Sequence, residues 1–457
     1  MITTSRSARQ SWYKLFSWLA RACMSVTLIA LPLRYRFTII ERPNPPIYID
    51  YIYVLIYISD LVLLLTLIFW LASLAFERRR LIWGPGFLSL PIIGLIGIGS
   101  LSSLFSVDPL LSSYHTLRLA LLAGIALYVL NEIHSLDMII LPVFAQVFIQ
   151  SVIGVTQVLQ QRSLGLGRLG ELDLDPAWSG VSIVWAEGVR SLRAYGLTDH
   201  PNILGGSLAF GLLLIAGWFS SARPRHPVLI GSVFSLGSLG LMLTFSRSAW
   251  LAIACGSLLM AVWLWRTAKK ELLKAYVSLL ASCLLILLPF AWHNAGLIGV
   301  RLNRGGSFTN IPQENQAIGE RTLLIAASNQ IFFSRPLTGS GLGTSPIALK
   351  EAFPDFPVHY QPAHFVLVAA ATETGILGAV FLLIAFTGPW AGMWINRKRL
   401  VVSPALITVS SLLAAVTVVG FFDYYTWLLP AGRLWLWFTW GLWGSIYLSS
   451  LKKTSDD

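Results

Sequence analysis

"YQPAHFVLVAAATETGILG", residues 360 to 378, runs without a charged break into "AVFLLIAFTGPW", residues 379 to 390. Between Ala363 and Trp390 the only ionisable residues are His364 and Glu373. An apolar run of about 20 residues or more crosses a hydrocarbon core of roughly 30 Å as a helix. A barrel strand would instead alternate apolar and polar residues over segments of about ten, and no other open structure satisfies its backbone in lipid. The stretch therefore reads as a membrane-spanning helix with a histidine at its mouth and a carboxylate inside it.

The same pattern recurs along the chain. About twelve spans are expected, at residues 15–33, 48–76, 87–106, 114–131, 138–159, 201–220, 228–245, 248–265, 275–292, 363–390, 402–422 and 434–451. With 457 residues, 55% hydrophobic and 12% charged, and a mean hydropathy of +0.69, the chain is too apolar for a solvated globular surface. The expectation is an all-α polytopic bundle, residues 1–457 forming a single integral membrane domain.

Arginines and lysines set its orientation. With the N-terminus cytoplasmic, Arg6, Arg9 and Lys14, then Arg78 to Arg80, Arg223 and Arg225 all fall inside. So do Arg266, Lys269, Lys270 and Lys274, then Arg397 to Arg399, and finally Lys452 and Lys453. Both termini are then cytoplasmic. Arg34, Arg36 and Arg42 break the pattern, since they would lie outside after the first span. The N-terminal apolar run has a basic start but no small-residue cleavage site, so it reads as an uncleaved first span.

A net charge of +12 raises the question of nucleic acid, but the basic residues flank spans and no nucleic-acid-binding motif is present. Cys23, Cys255 and Cys283 lie in apolar runs without CxxC spacing, which supports neither a disulfide framework nor a zinc site.

Two long connections, about residues 160–200 and 293–362, are expected on the extracytoplasmic side. Irregular backbone of that length lies outside lipid or against protein, and such loops carry function. The first contains Asp173 and Asp175, a D-x-D triplet that reads as chance here, because nucleotide sugars are cytoplasmic. It ends in "RSLRAYGLTDHPNILGG", bringing Arg193, Asp199, His200 and Asn202 to the start of the next span. Asp199 or Asn202 capping that helix, with Pro201 in its first turn, is one reading; a site role is the other.

"LTFSRSAWLA" sets Arg247 between two apolar runs, where a cation is costly, by about 2.5 to 3.5 kcal/mol at the bilayer centre and less near an interface. An anion contact or snorkelling into headgroups would account for it. The second loop opens with Arg301 and Arg304 and carries "GERTLLIAASNQIFFSRPLTGSGLGTSP". Leu324, Ala327 and Ile331 recur at helical spacing, which predicts a short surface helix with Arg321 in its first turn. "GSGLG" lacks the Lys-Ser/Thr of a nucleotide loop and reads as a turn-rich connector.

His364, at the water boundary, has an ordinary imidazole pKa of about 6.5 and suits a general base. Glu373, nine residues on, lies roughly 13.5 Å along a straight helix on the opposite face, which excludes a dyad with His364. It is either a buried, hydrogen-bonded carboxylate or part of a site. Arginines gathered at one face, without metal-ligand spacing, suit an anionic lipid headgroup such as a diphosphate.

"RAYGLTDHPNILGG", "FSRSAW", "GERTLLIAASNQIFFSRPLTGSGLG" and "AHFVLVAAATETGILG", in this order over about residues 193–378, resemble the O-antigen ligase and O-antigen polymerase-like family of bacterial membrane glycosyltransferases. The resemblance implies a GT-C-like enzyme of the inner membrane that moves a glycan from undecaprenyl diphosphate to an acceptor at the extracytoplasmic face. It implies inversion at the anomeric carbon with no metal and no cofactor. It would make His364 and Arg321 catalytic and give Arg193, Arg247 and Arg301 contacts with the diphosphate, with His200, Asn202 and Glu373 in supporting places. Many relatives follow the histidine with Asn, where Phe365 stands here. Ligases, polymerases and protein O-oligosaccharyltransferases share the pattern, so the acceptor is a glycan, a lipid or a protein, and the partners are that acceptor, the lipid-linked donor and membrane lipids. The rival classes are a transporter, which would need interrupted helices and ionisable residues at mid-bilayer, and a lipid-glycan flippase.

Overall fold

The computed structural model describes residues 2–186, 188–222, 224, 226–302 and 312–451, with their side chains except at 2–8, 222 and 312–318. Arg223, Arg225, Arg304, Lys452 and Lys453 lie outside the described residues, as do the side chains of Arg6 and Gln313.

Among the described residues the chain forms fifteen α-helices and two antiparallel hairpins. Helix α1 (Ile2–Ala30) leads into strand β1 (Arg36–Ile40), which pairs with β2 (Val54–Tyr57) ahead of α2 (Ile58–Phe76). Helices α3 (Gly86–Leu104), α4 (Pro109–Glu132) and α5 (Ile140–Gln160) follow. A second hairpin, β3 (Ile183–Ala186) and β4 (Val189–Leu192), precedes α6 (Pro201–Ala222), α7 (Pro227–Leu243), α8 (Arg247–Arg266) and α9 (Lys270–His293). Then come α10 (Ala295–Arg301), α11 (Pro312–Ser334) and α12 (Ser345–Ala352), and finally α13 (Val366–Ile395), α14 (Pro404–Phe422) and α15 (Pro430–Ser449).

Every expected span has a helix. Nine of them, α2 to α6, α8, α9, α13 and α14, are long and apolar enough to cross a membrane by length and composition. The protein is an integral membrane protein of helical class, and twelve crossings exceed what length and composition alone give. Helix α7 is apolar but only 17 residues long. Helix α15 is buried on nearly every side, which relaxes the demand for lipid-compatible side chains.

At the centre stands α6, 89% buried over its apolar stretch. Its glycines explain how: a Cβ on Gly206 would meet Tyr425 Oη at 1.9 Å, and one on Gly217 would meet Thr408 Oγ1 at 2.1 Å. Small residues let membrane helices approach this closely, where dispersion and local hydrogen bonds hold them. Helix α14 packs against α6 and α8, α13 against α3, and α15 against α4.

Three sequence expectations change. The second span is shorter than residues 48–76, because β2 occupies Val54–Tyr57 and α2 begins at Ile58. Arg321 does not open its helix: α11 begins at Pro312, a residue suited to a first turn, so Arg321 lies mid-helix. The expected apolar face is there, with Leu324, Ala327 and Ile331 all buried against Ile347, Tyr360 and their neighbours. The tenth span is also not one continuous helix. Gly375, at φ +70° and ψ −174°, breaks α13 directly after Glu373 and Thr374.

The three anomalous arginines are held by ion pairs. Arg34 and Arg36 reach Asp199 Oδ1 at 2.6 and 2.9 Å, Arg36 also binds Asp50 at 2.5 Å, and Arg42 pairs with Asp108. Arg34 and Arg36 clasp the first hairpin region to the segment that enters α6, and Arg42 ties it to the start of α4.

Candidate active site

Helices α7 and α8 are joined by Thr244, Phe245 and Ser246, with Phe245 in the left-handed region at φ +46°. That conformation is costly for an aromatic residue and persists only where its surroundings impose it. Here two successive carbonyls each hold a guanidinium. Thr244 O accepts from Arg193 Nε at 2.7 Å, and Phe245 O accepts from Arg301 Nε and Nη2 at 3.0 and 2.8 Å. Arg247 opens α8 next to them, at the positive end of the helix dipole. Arginines far apart in the chain thus meet on one turn.

A polar chain leads away from Arg193. Its Nη2 donates to Asn202 Oδ1 at 2.8 Å, and Asn202 Nδ2 donates to Asp423 Oδ2 at 2.8 Å. An arginine can only donate and a carboxylate only accept, so these partners fix which way the Asn202 amide points. Asp423 Oδ1 then faces His364 Nδ1 at 3.7 Å, too long for a hydrogen bond but close enough to stabilise positive charge on the ring when it is protonated. Asp423 is buried at the end of α14, and His364 stands two residues ahead of α13. The edge-on ring of Tyr424 packs at 4.8 Å from the His364 ring, and its hydroxyl hydrogen-bonds Tyr51 from the first hairpin.

Burial pushes the His364 imidazole down to about 4; Asp423 pulls it upward against that, and Arg321 presses it lower. The ring is therefore neutral at physiological pH. A neutral ring whose Nδ1–H faces Asp423 would carry its lone pair on Nε2.

His200 sits among the same charges. Burial, followed by the charges of Arg193, His364, Arg301 and Arg321, holds its imidazole well below the ordinary value. Its Nδ1 accepts from the Asn202 backbone N–H at 3.1 Å and its Nε2 lies 3.0 Å from Ser182 Oγ. Neither Asp199 nor the Asn202 side chain caps α6 as the sequence suggested. Asp199 is taken by Arg34 and Arg36, Asn202 by Arg193 and Asp423, and the imidazole of His200 serves the helix start instead.

Arg193, Asn202, His200, Arg301, Arg321 and His364 are thus gathered into one charged cluster, with Arg247 on the turn beside it. Glu373 is not part of this array. Its Oε1 accepts from Ser345 Oγ at 2.7 Å, and its Oε2 from Gly343 N at 2.8 Å and Trp427 Nε1 at 2.7 Å. The glycine loop of residues 339–343 wraps the break in α13: Ser340 N donates to Thr372 O, Gly341 N to Glu373 O, and Ile376 N to Pro336 O. Gly341 needs to be glycine, since at φ +110° its Cβ would stand 1.9 Å from Ser106 Oγ. "GSGLG" is a connector, as expected, and Glu373 is its anchor.

Sequence reasoning missed Asp423. The available signal was a lone carboxylate closing an apolar run in "GFFDYYTW", residues 420–427. Among the described residues, Asp173 accepts from Ser163 Oγ and Asp175 from Ala177 N. Among the described residues no group of three or more His, Cys, Asp or Glu has metal-binding geometry.

No curated protein matches the chain. The family model described as O-Antigen ligase matches residues 231–383, a stretch that includes Arg247, Arg301, Arg321, His364 and Glu373 and ends before Asp423. Over that stretch the chain is O-antigen ligase-like.

Proposed function

We propose that the chain is a glycosyltransferase that moves a glycan from undecaprenyl diphosphate to an acceptor hydroxyl at the extracytoplasmic face of the bacterial inner membrane, both termini being cytoplasmic. The observation that carries this is the linked series Arg193, Asn202, Asp423 and His364 beside an arginine-bearing turn. Nε2 of neutral His364 takes the proton of the attacking hydroxyl as its oxygen bonds the anomeric carbon. The bond from that carbon to the diphosphate oxygen breaks on the opposite side, so configuration inverts. The arginines receive the diphosphate, which carries away the electron pair. Guanidinium groups bind phosphate oxygens in paired, charge-assisted hydrogen bonds, so they supply neutralisation that needs no metal. Asp423 steadies the imidazolium that forms.

Twelve crossings, with residues 160–200 and 293–362 as extracytoplasmic loops of one membrane domain, complete the proposed topology. The break in α13 is a feature a transporter would also have. Here the glycine loop bonds Thr372 O and Glu373 O, and Pro336 O takes the amide of Ile376, which favours a rigid join over an ion site.

Purified protein given a defined undecaprenyl diphosphate glycan and an acceptor, with chelator present, should transfer the glycan and should stop doing so as His364→Ala or Arg321→Ala. Loss on chelation would contradict metal independence, and full transfer by both variants would contradict the site. A cysteine introduced at Gln313 should be labelled from outside intact cells; labelling only after permeabilisation would reverse the orientation.

A further inference from the structure

We infer that a polar pocket between the end of α11 and α12 binds the phosphoethanolamine headgroup of a zwitterionic phospholipid, taking its phosphate on Arg335 and its ammonium on Glu351. The inference does not depend on the glycosyl transfer proposed above. The cavity has a volume of about 440 Å³, and its walls include Val107, Gln330, Ser334, Arg335, Glu351 and Phe353. Two charges of opposite sign thus line it, yet among the described residues neither Arg335 nor Glu351 forms an ion pair. Arg335 Nη1 reaches Phe105 O at 3.4 Å, which engages one of the guanidinium N–H groups and leaves the rest. Glu351 stands in the last turn of α12, where a carboxylate opposes the helix dipole, so the helix gains nothing from it. Lys350 beside it is turned away to Asn44 Oδ1 and Pro45 O. A ligand that carries an anion and a cation together complements this pair of charges.

Depth makes that ligand a lipid. From the break at Gly375 to its end at Ile395, α13 is roughly 30 Å long, the thickness of a hydrocarbon core. Pro336 O takes the amide of Ile376 at 2.9 Å, so the chain next to Arg335 lies level with one end of that stretch. Helix α3 gives the same level independently. Its 19 residues, roughly 28 Å, end at Leu104. Phe105, which Arg335 contacts, comes next, and Val107 N donates to Ser340 O at 2.9 Å. Beside these residues in the chain, Leu104, Phe105, Phe333 and Leu337 are 76, 56, 74 and 69% exposed, apolar surface that acyl chains would cover. The pocket therefore stands at the edge of the hydrocarbon, where phospholipid headgroups lie. A guanidinium binds phosphate oxygens in paired bonds, and a primary ammonium donates to a carboxylate.

The test offers purified protein in detergent equal concentrations of dioctanoyl phosphatidylethanolamine, phosphatidylcholine and phosphatidylglycerol, and counts bound lipid by native mass spectrometry. Wild-type protein should retain phosphatidylethanolamine about tenfold over either competitor, because choline has no N–H to give Glu351 and glycerol has no charge. Glu351→Gln, a change at an exposed position, should bring phosphatidylethanolamine and phosphatidylglycerol to within about twofold of each other. Arg335→Ala should lower retention of all three by about tenfold. Equal retention by the wild type, an unchanged preference in Glu351→Gln, or undiminished binding in Arg335→Ala would each overturn the inference. Free phosphoethanolamine should displace the lipid only at about hundredfold excess or more, since it buries no acyl chain. Displacement at equal concentration would assign the pocket to a soluble zwitterion and overturn the lipid assignment.

Discussion

Asp423→Asn keeps the shape of the side chain and its acceptance from Asn202, and removes one charge 3.7 Å from His364 Nδ1. At that separation a carboxylate and an imidazolium attract by about 4 kcal/mol when the effective dielectric constant is about 20. If the proton is half transferred in the transition state, about 2 kcal/mol of this acts on the barrier, or roughly thirtyfold in kcat. The pH dependence carries a second signature. Neutral imidazole is the active form, so kcat/KM rises with pH through the imidazole pKa of the free enzyme and then levels. In the wild type that limb lies near 4, low chiefly through burial, with Asp423 pulling it up and Arg321 pressing it down. It should therefore move to lower pH in Asp423→Asn. The assay is the pH profile of glycan transfer by purified protein. A rate within about twofold of wild type, with the limb unmoved, would refute the coupling of Asp423 to the base.

Arg321→Ala, which stops transfer, should raise the pKa of the His364 imidazole itself, followed by NMR titration of the labelled ring, towards the ordinary histidine value; a shift of the same sign as in Asp423→Asn would refute the electrostatic assignment. Glu373→Ala leaves Gly343 N–H, the Ser345 hydroxyl and Trp427 Nε1 without their acceptor. At about 1 to 3 kcal/mol for each stranded group, it should lower the thermal unfolding temperature in detergent far more than Glu373→Gln does, and equal melting of the two would refute the anchoring role. Gly341→Ala should sharply reduce folded protein recovered from membranes, and adding Ser106→Gly should restore only part of it, because the clash goes while the left-handed backbone stays. Full recovery in the double variant would show that φ carries no cost there.

The helices were legible because hydropathy reports lipid burial directly, and α13 to α15 begin and end within a few residues of expectation. The place of His364 at the mouth of α13 was legible because the apolar run starts directly behind it. Asp423 was not: it closes the next long helix, and only packing brings the end of α14 to His364, 59 positions away in sequence. Arg321 was placed in a first turn because the apolar periodicity starts at Leu324, whereas α11 extends upstream through residues that carry no such stripe. The break at Gly375 was hidden because glycine is common in membrane helices, and its neighbours read as unbroken hydrocarbon. The ion pairs of Arg34, Arg36 and Arg42 join carboxylates scattered from Asp50 to Asp199, a pairing no local spacing encodes.

The turn between α7 and α8 grips Arg193 and Arg301 through the oxygens of its peptide groups, and the side chains of Thr244 and Phe245 take no part in that grip. Spelling and shape are thereby separated. Substitutions at these two positions that keep the backbone path leave the grip on both arginines standing, so turns of other sequence can hold the same two guanidiniums. A search for the proposed anion site in other chains should accordingly compare main-chain torsions at this corner as well as its residues.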